Sequence, residues 1–291
     1  MSESQTLEFT GERFTPECQR EIWYEHMHRY AMLEPVIKGK TVLDAACGEG
    51  YGSHMLSQWA DSVVGVDIDE QAITHAHKRY QIDNLEFKQS DVLQLPFADD
   101  HFDVVVSFET LEHLAEHEAL LTEFKRVLKS DGCLIISTPD KAEYSDKTGF
   151  DNAYHVKELY QHEFKDLLDQ FFPEQQWFGQ KLAFFSSLWQ LQKQPQTVTL
   201  KTYAEEALAD GQDVNYSPMY YVVVASQQKL PALFSDLHLF TDVDETVYAH
   251  YNEMIREYIS VAEKFVALND KHEAWKKHPI WGRIIRWLEK K

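Results

Sequence analysis

Cysteine, positive charge and long apolar runs are all scarce in this chain. Its three cysteines, Cys18, Cys47 and Cys133, are odd in number and far apart. That pattern suggests neither a disulfide framework nor a zinc site. A reducing, cytoplasmic compartment is its simplest setting. No run of about 18 apolar residues occurs, so no segment is expected to span a membrane. The opening residues Met1-Ser2-Glu3-Ser4-Gln5 are polar and acidic, which argues against a signal peptide. Lys and Arg number 28 against 48 Asp and Glu, a net charge of −20. Such a surface repels a polyanion, so nucleic acid is not an expected partner. No His, Asp and Glu show ligand spacing along the chain, and none is assigned to a metal. His26 and His28 are two apart and do not share a helix face.

What remains is a chain of 291 residues and 44% apolar content, enough for a large core and one domain with an appendage. Three of its eleven glycines fall together in Val42-Leu43-Asp44-Ala45-Ala46-Cys47-Gly48-Glu49-Gly50-Tyr51-Gly52. An apolar run ends on an acid, a glycine-rich turn follows, and a helical pattern begins. That is a strand, a tight loop and a helix N-terminus, where backbone without Cβ lets a ligand lie close. The next apolar run, Val63-Val64-Gly65-Val66, ends on Asp67. The separation fits one βαβ unit with a carboxylate placed to grip a ribose. The spacing fails the third glycine of a dinucleotide fingerprint, since position 53 is serine, and lacks the Lys-Ser/Thr pair of a P-loop. An acid before the glycines suits a ligand with positive charge, such as an ammonium and a sulfonium.

Further elements follow from periodicity. Helices are expected over Arg20–Leu33, from Tyr51 to Trp59, from an Asp69 N-cap to about Tyr80, over Glu116–Lys129 and over Val156–Phe172. Strands are expected at Thr41–Ala45, Ser62–Val66, Leu85–Lys88, Phe102–Phe108 and Cys133–Thr138. Ser130-Asp131-Gly132 reads as a helix stop. Alternating strands and helices imply an α/β doubly wound sheet. A final hairpin is expected from Gln176–Phe185 and Met219–Ala225, with a polar insertion over 190–217 that reads as a substrate lid. The division expected is a helical lid over 1–38, a cofactor domain over 39–228 and a helical extension over 229–291.

The glycine loop resembles the first motif of the class I S-adenosylmethionine-dependent methyltransferases, similar to D-x-G/A-C-G-x-G, with Ala46 in place of one glycine. The resemblance implies a Rossmann-like sheet of seven strands, mostly parallel with the last antiparallel, and S-adenosyl-L-methionine as cofactor. It implies Asp44 near the methionine ammonium, and Ala46, Gly48 and Gly50 under the ligand. Asp67 takes the ribose hydroxyls, Ile68 lies against the adenine, Asp91 and Val92 meet the adenine amine, and Phe108 and Glu109 complete the rim. Asp91 also reads as a turn cap, and Ile68 as core.

Phe108-Glu109-Thr110-Leu111-Glu112-His113-Leu114 is similar to the E-x-L-E-H-L segment of the branch that includes quinone-biosynthesis enzymes. A methyl acceptor should arrive there, and a histidine near its ordinary pKa suits proton acceptance from an alcohol. His113 either fills that role or packs and caps the turn. Glu112 reads as a solvated or helix-starting residue. His155, with Asn152 nearby, is a second base candidate or an exposed helix residue. The segments Thr10–Pro16 and Tyr24–Tyr30 resemble bacterial methyltransferases of surface-polysaccharide and other glycan assembly. They imply a helical lid with Tyr24, His28, Arg29 and Tyr30 inward, Arg29 being suited to a cofactor carboxylate. The alternative is simple packing. The expected reaction is O-methylation of a sugar hydroxyl on a glycan, lipid-linked glycan or nucleotide sugar. Behind it stand a small aromatic or quinone-like acceptor and a non-catalytic assembly partner.

The tail differs in charge. Residues 271–291 hold seven Lys/Arg against two Glu, a local +5 in a chain otherwise near −25. Ile280, Trp281, Ile284, Ile285, Trp287 and Leu288 share one helical face, flanked by Arg283, Arg286 and Lys290. That face suits either an anionic membrane surface, at 278–291, or packing and homo-oligomer assembly. The segment Val243–Leu268 reads as a helix with irregular heptads.

Overall fold

The computed structural model describes residue 15 and residues 21–183, 200–204, 207–211, 216–230, 235–242 and 244–288. The segment Thr10–Phe14 and most of the 190–217 insertion lie outside them. Residues 1–240 and 241–291 form two compact units.

The first unit is built on a seven-stranded sheet: β1 (Thr41–Ala45), β2 (Ser62–Asp67), β3 (Leu85–Gln89), β4 (Phe102–Phe108), β5 (Leu128–Pro139), β6 (Glu174–Gln180) and β9 (Tyr220–Ser226). Its order is β3-β2-β1-β4-β5-β9-β6. The first five strands in that order pair in parallel, and β9 runs antiparallel to β5 and β6. The expected Rossmann-like sheet with its last strand antiparallel is therefore present. A two-stranded ribbon, β7 (Leu200–Ala204) with β8 (Ala207–Gly211), lies in the insertion.

Alternation along the strands creates two apolar layers. Leu43, Val105, Leu134, Ile136 and Val223 pack on one face against α5 (His117–Val127) and α6 (Gln161–Asp169). Val42, Val104, Val106, Ile135 and Val224 pack on the other with Tyr30, Leu33, Ile37 and Leu56. Tyr30, Ile37 and Leu56 come from α1 (Glu21–Ala31), α2 (Glu34–Ile37) and α3 (Tyr51–Ser57), and Leu33 precedes α2. Strands buried on both faces read as continuous apolar runs, which is why β1 and β4 were legible. The next helix, α4 (Glu70–Arg79), starts at the expected cap: the Gln71 amide donates to Asp69 Oδ1 at 2.8 Å.

Three expectations need correction. The helix before β5 stops at Val127, and β5 begins at Leu128. Ser130-Asp131-Gly132 ends no helix and sits inside that strand. Leu128 pairs with Phe102 but Cys133 with Val104, so an irregularity absorbs the surplus residues. The helix expected from Val156 begins only at Gln161. The amides of Val156 and Lys157 are taken by the Glu112 carbonyl, and Leu159 bridges to Asp140. The single helix expected over Arg20–Leu33 ends at Ala31, and Pro35 opens the short α2.

In the second unit, α7 (Thr246–Lys277) is followed by α8 (Trp281–Leu288), which exposes Trp281, Ile284, Trp287 and Leu288. No described helix is long and apolar enough to cross a membrane.

Gly52 sits where α3 presses on α1. A Cβ there would come within 2.1 Å of the Tyr30 ring. Gly52→Ala is expected to cost about 2 kcal/mol through overpacking, read as a fall of roughly 5 °C in a thermal melt. An unchanged melt would show that Tyr30 has room to move.

Candidate active site

The carboxyl ends of β1, β2 and β4 meet at the glycine loop. Ala46, Gly48 and Gly50 all have positive φ, at 61°, 55° and 93°. At Gly50 a Cβ would also lie 2.8 Å from the Phe87 ring. Ala46 holds a left-handed conformation that costs a residue with Cβ about 1 kcal/mol or more. The loop is tied to β2 twice: the Cys47 amide donates to the Val66 carbonyl at 2.8 Å, and the Gly48 amide to Asp67 Oδ2 at 2.8 Å.

Three acids frame this loop. Asp44 is buried, and its oxygens accept from Tyr30 Oη at 3.1 Å and Ser53 Oγ at 2.6 Å. Burial, with Asp67 adding to it, pushes the Asp44 carboxyl up to about 7 against those two hydrogen bonds. Asp67 also accepts the Asp69 amide at 2.9 Å. Two backbone amides occupy half of its acceptor capacity, leaving lone pairs for further donors. Beside it Ile68 is 68% exposed, so it is not core. Glu49, to which the sequence reading gave no role, is fully buried. It meets His75 Nε2 at 2.9 Å, Arg79 at 3.0 Å and the Tyr80 hydroxyl at 2.8 Å. The only sequence signal for this clasp was His75 and Arg79 one turn apart on α4.

The helix α1 brings a buried cation. Arg29 is 1% exposed; its Nε donates to Gln180 Oε1 at 2.7 Å, and its guanidinium lies 4.5 Å over the Tyr220 ring. One terminal nitrogen lies 3.3 Å from Glu109 Oε1, yet neither terminal nitrogen has a hydrogen-bond partner among the described residues. Burial would discharge the guanidinium, but Glu109, Tyr220 and Glu25 hold it charged. Burial pushes Glu25 itself up to about 7, with Arg29 opposing. Tyr24 and His28 pack against Phe240 on another side of α1, with Tyr24 edge-on at 5.8 Å. Phe108 meets Tyr30 edge-on at 5.0 Å, and Val92 is buried. Asp91 Oδ1 caps the Leu93 amide at 2.9 Å, a turn-capping role.

Past β4, Glu109 has φ 49° and accepts from Ser137 Oγ at 2.6 Å. The 3-10 turn Leu111–His113 then places Glu112 inward. Glu112 is 1% exposed and accepts from Thr138 Oγ1 at 3.0 Å, which corrects its expected solvation. Burial, with Glu109 nearby, raises its carboxyl well above the usual range. Glu112, His113 and His155 bring one ligand-type atom each within 4.8 Å of one another. His113 Nδ1 lies 3.1 Å from the Tyr154 carbonyl, and His155 Nδ1 lies 2.5 Å from Glu158 Oε1. A carbonyl and a carboxylate accept, so the Nδ1 atoms carry the protons and the Nε2 atoms are the basic ones. These distances are also within reach of a metal ion; the fold assembles the group from residues 43 apart, which spacing along the chain does not reveal. Asn152 closes a turn on the Tyr154 amide at 3.1 Å.

Residues 37–207 match a family model described as a methyltransferase domain. The chain belongs to that methyltransferase domain family. Over 167 residues it is 37% identical to a probable S-adenosylmethionine-dependent methyltransferase of Mycobacterium tuberculosis, covering 56% of this chain and 60% of that protein. A fatty-acid O-methyltransferase of Mycolicibacterium smegmatis is 35% identical over 98 residues, 33% of this chain and 36% of that one. Among solved structures, a chain from the complex of the Haloferax volcanii Trm112 methyltransferase activator with a methyltransferase aligns at a TM-score of 0.50 and 20% identity. It covers 75% of this chain and 91% of that one, and supports the fold.

Membership of this family implies S-adenosylmethionine, and the residues fit it. The Arg29 guanidinium, ion-paired with Glu109 but with spare donors on its terminal nitrogens, suits a carboxylate, the carboxylates of Asp44 and Asp67 suit a cationic ligand with a ribose, and exposed Ile68 suits an apolar ring. A cation favours ionised Asp44, so binding should release a proton below pH 7. Cofactor affinity is expected to rise between pH 6 and 7.5, by less than tenfold per unit. Without ligand the sign reverses. A carboxyl whose pKa rises on folding makes the native state bind more protons between about 4 and 7, so stability falls as pH rises through that window. Calorimetry in buffers of different ionisation heat and melts across this range check both.

Proposed function

We propose that this chain is an S-adenosylmethionine-dependent O-methyltransferase acting on a hydroxyl of a glycan, lipid-linked glycan or nucleotide sugar. The observation that carries the reaction type is the His113–His155–Glu112 cluster, assembled from the segments that follow β4 and β5. Bound there, the cofactor supplies a methyl group already activated on a sulfonium. The protein then has to align the acceptor and take its proton. His155, oriented by Glu158, and His113, oriented by the Tyr154 carbonyl, each offer Nε2 for that proton. Arg29, Asp44 and Asp67 hold the cofactor, and α1 shields the site from water.

The acceptor class draws on the resemblance of the Tyr24–Tyr30 segment to enzymes of glycan assembly. A second reading, an acyl-lipid acceptor, is favoured by the fatty-acid O-methyltransferase among the relatives, which matches only a third of this chain. The exposed face of α8, with Arg283 beside it, supports peripheral contact with an anionic bilayer in either case. Deletion after Pro279 is expected to abolish sedimentation with anionic vesicles; absence of binding by the intact chain overturns that part.

Transfer of radiolabelled methyl to cell-envelope extracts tests the whole reading. Label in delipidated or nucleotide-sugar fractions supports the glycan acceptor. Label confined to fatty-acyl extracts moves the assignment to the second reading. No incorporation, with cofactor binding intact, leaves a binding protein. His113→Ala and His155→Ala are each expected to lower turnover at least tenfold with cofactor affinity within about twofold of wild type. Full activity in both removes the imidazole base.

A further inference from the structure

The helix α7 presents an apolar seam whose order is concealed in the sequence. Tyr251, Tyr258 and Phe265 recur every seven residues, and Met254, Val261 and Leu268 recur three residues behind them. These steps of three and four are the a and d positions of a heptad repeat. The repeat reads as irregular because Ile255 broadens the seam at e, while Ile259 and Val266 add apolar residues beyond its edge at b. The helix runs unbroken through it, from Thr246 to Lys277. The seam is open: Tyr258 is 75% exposed, Phe265 70%, Leu268 66% and Val261 63%. From Tyr251 to Trp275 it runs about 36 Å at the rise of an α-helix. An apolar stripe of that length does not stay in water on a monomer.

We propose that a second copy of this chain covers the seam, with its α7 running antiparallel. Charge first excludes an anionic bilayer on this helix. Residues 246–277 carry five acidic and five basic side chains, so α7 has no net attraction for anionic lipid. Size then selects the direction. In register and parallel, the aromatic layers Tyr251, Tyr258 and Phe265 would each face themselves, and the small Val261 would face Val261. Antiparallel pairing sets Tyr251 against Leu268, Met254 against Phe265 and Tyr258 against Val261, an aromatic ring against an aliphatic side chain in every layer. A hollow of about 370 Å³ bounded by Phe265, Leu268, His272 and Trp275 lies where Tyr251 of the second copy would insert. Flanking charges point the same way. In the antiparallel register Glu257 of each copy stands beside Lys264 of the other, giving two ion pairs by symmetry. In the parallel register Glu257 would face Ala262, and Lys271 would meet Lys276 as a like-charge pair.

Sedimentation equilibrium of the full chain tests this, the monomer being 34.0 kDa. Wild type should form a dimer at low micromolar concentration. Glu257→Lys and Lys264→Glu should each weaken self-association at least tenfold, about 1.4 kcal/mol. The double variant E257K/K264E should restore it to within about threefold. Val261→Asp should give monomers whose circular dichroism matches wild type. A chain that stays monomeric up to roughly 100 µM overturns the proposal. So does a dimer insensitive to Val261→Asp. A double swap no better than the single ones overturns the antiparallel register.

Discussion

The carboxylate of Asp44 is enclosed at the end of β1 with a hydroxyl on each side, and much of the site is arranged around that burial. Tyr30 reaches it from α1, Ser53 from α3, and the glycine loop folds over it. One side chain thus couples α1, α3 and the central strand. A buried carboxyl without an ion partner is costly when charged, and here the penalty stands as a pKa near 7. A cationic ligand relieves it. The site is therefore tuned by what the first unit lacks: Arg29 is the one fully buried cation among the described residues, set against Asp44, Glu49, Asp67 and Glu112.

Local backbone strain marks the same place. Ala46 and Glu109 are both non-glycine residues in the left-handed region, and they end β1 and β4, the two adjacent central strands. Strain of this kind persists only where surrounding contacts over-determine it. At Glu109 those contacts are Ser137 and Arg29; at Ala46 they are the flanking ties of Cys47 and Gly48 to β2. The turn that follows Glu109 also directs Glu112 inward, so the strained residue and the buried carboxyl belong to one local arrangement.

The strand, the glycine loop, Asp67 and the Asp69 cap could be read directly, because each depends on neighbours within a few residues. What escaped depended on distant partners. The helix start at Gln161 was hidden because Val156 and Lys157 spend their amides on the Glu112 carbonyl. The start of β5 was hidden by Ser130-Asp131-Gly132, whose helix-stopping composition is equally that of a strand irregularity. The histidine cluster spans 43 residues and closes only when the loop after β5 returns to β4. Glu49 looked like loop filler because its three partners lie on α4 and at its C-terminal cap, more than 25 residues away.

That last residue clarifies how the loop holds its shape before any ligand arrives. Flexible glycine backbone binds poorly if it must be ordered at the moment of binding, since the ordering entropy is then lost from affinity. Here the loop is fixed from three directions: Asp44 packs beneath it, Asp67 accepts an amide from its middle, and Glu49 anchors it sideways to α4. The glycines therefore supply positive φ and close approach without supplying mobility. The buried Glu49 charge has bonds to a histidine, an arginine and a tyrosine, so its desolvation is met by groups on a rigid helix. A loop of this kind presents its backbone as a preformed surface, with Asp44, Asp67 and Glu49 as the side chains that hold it in place.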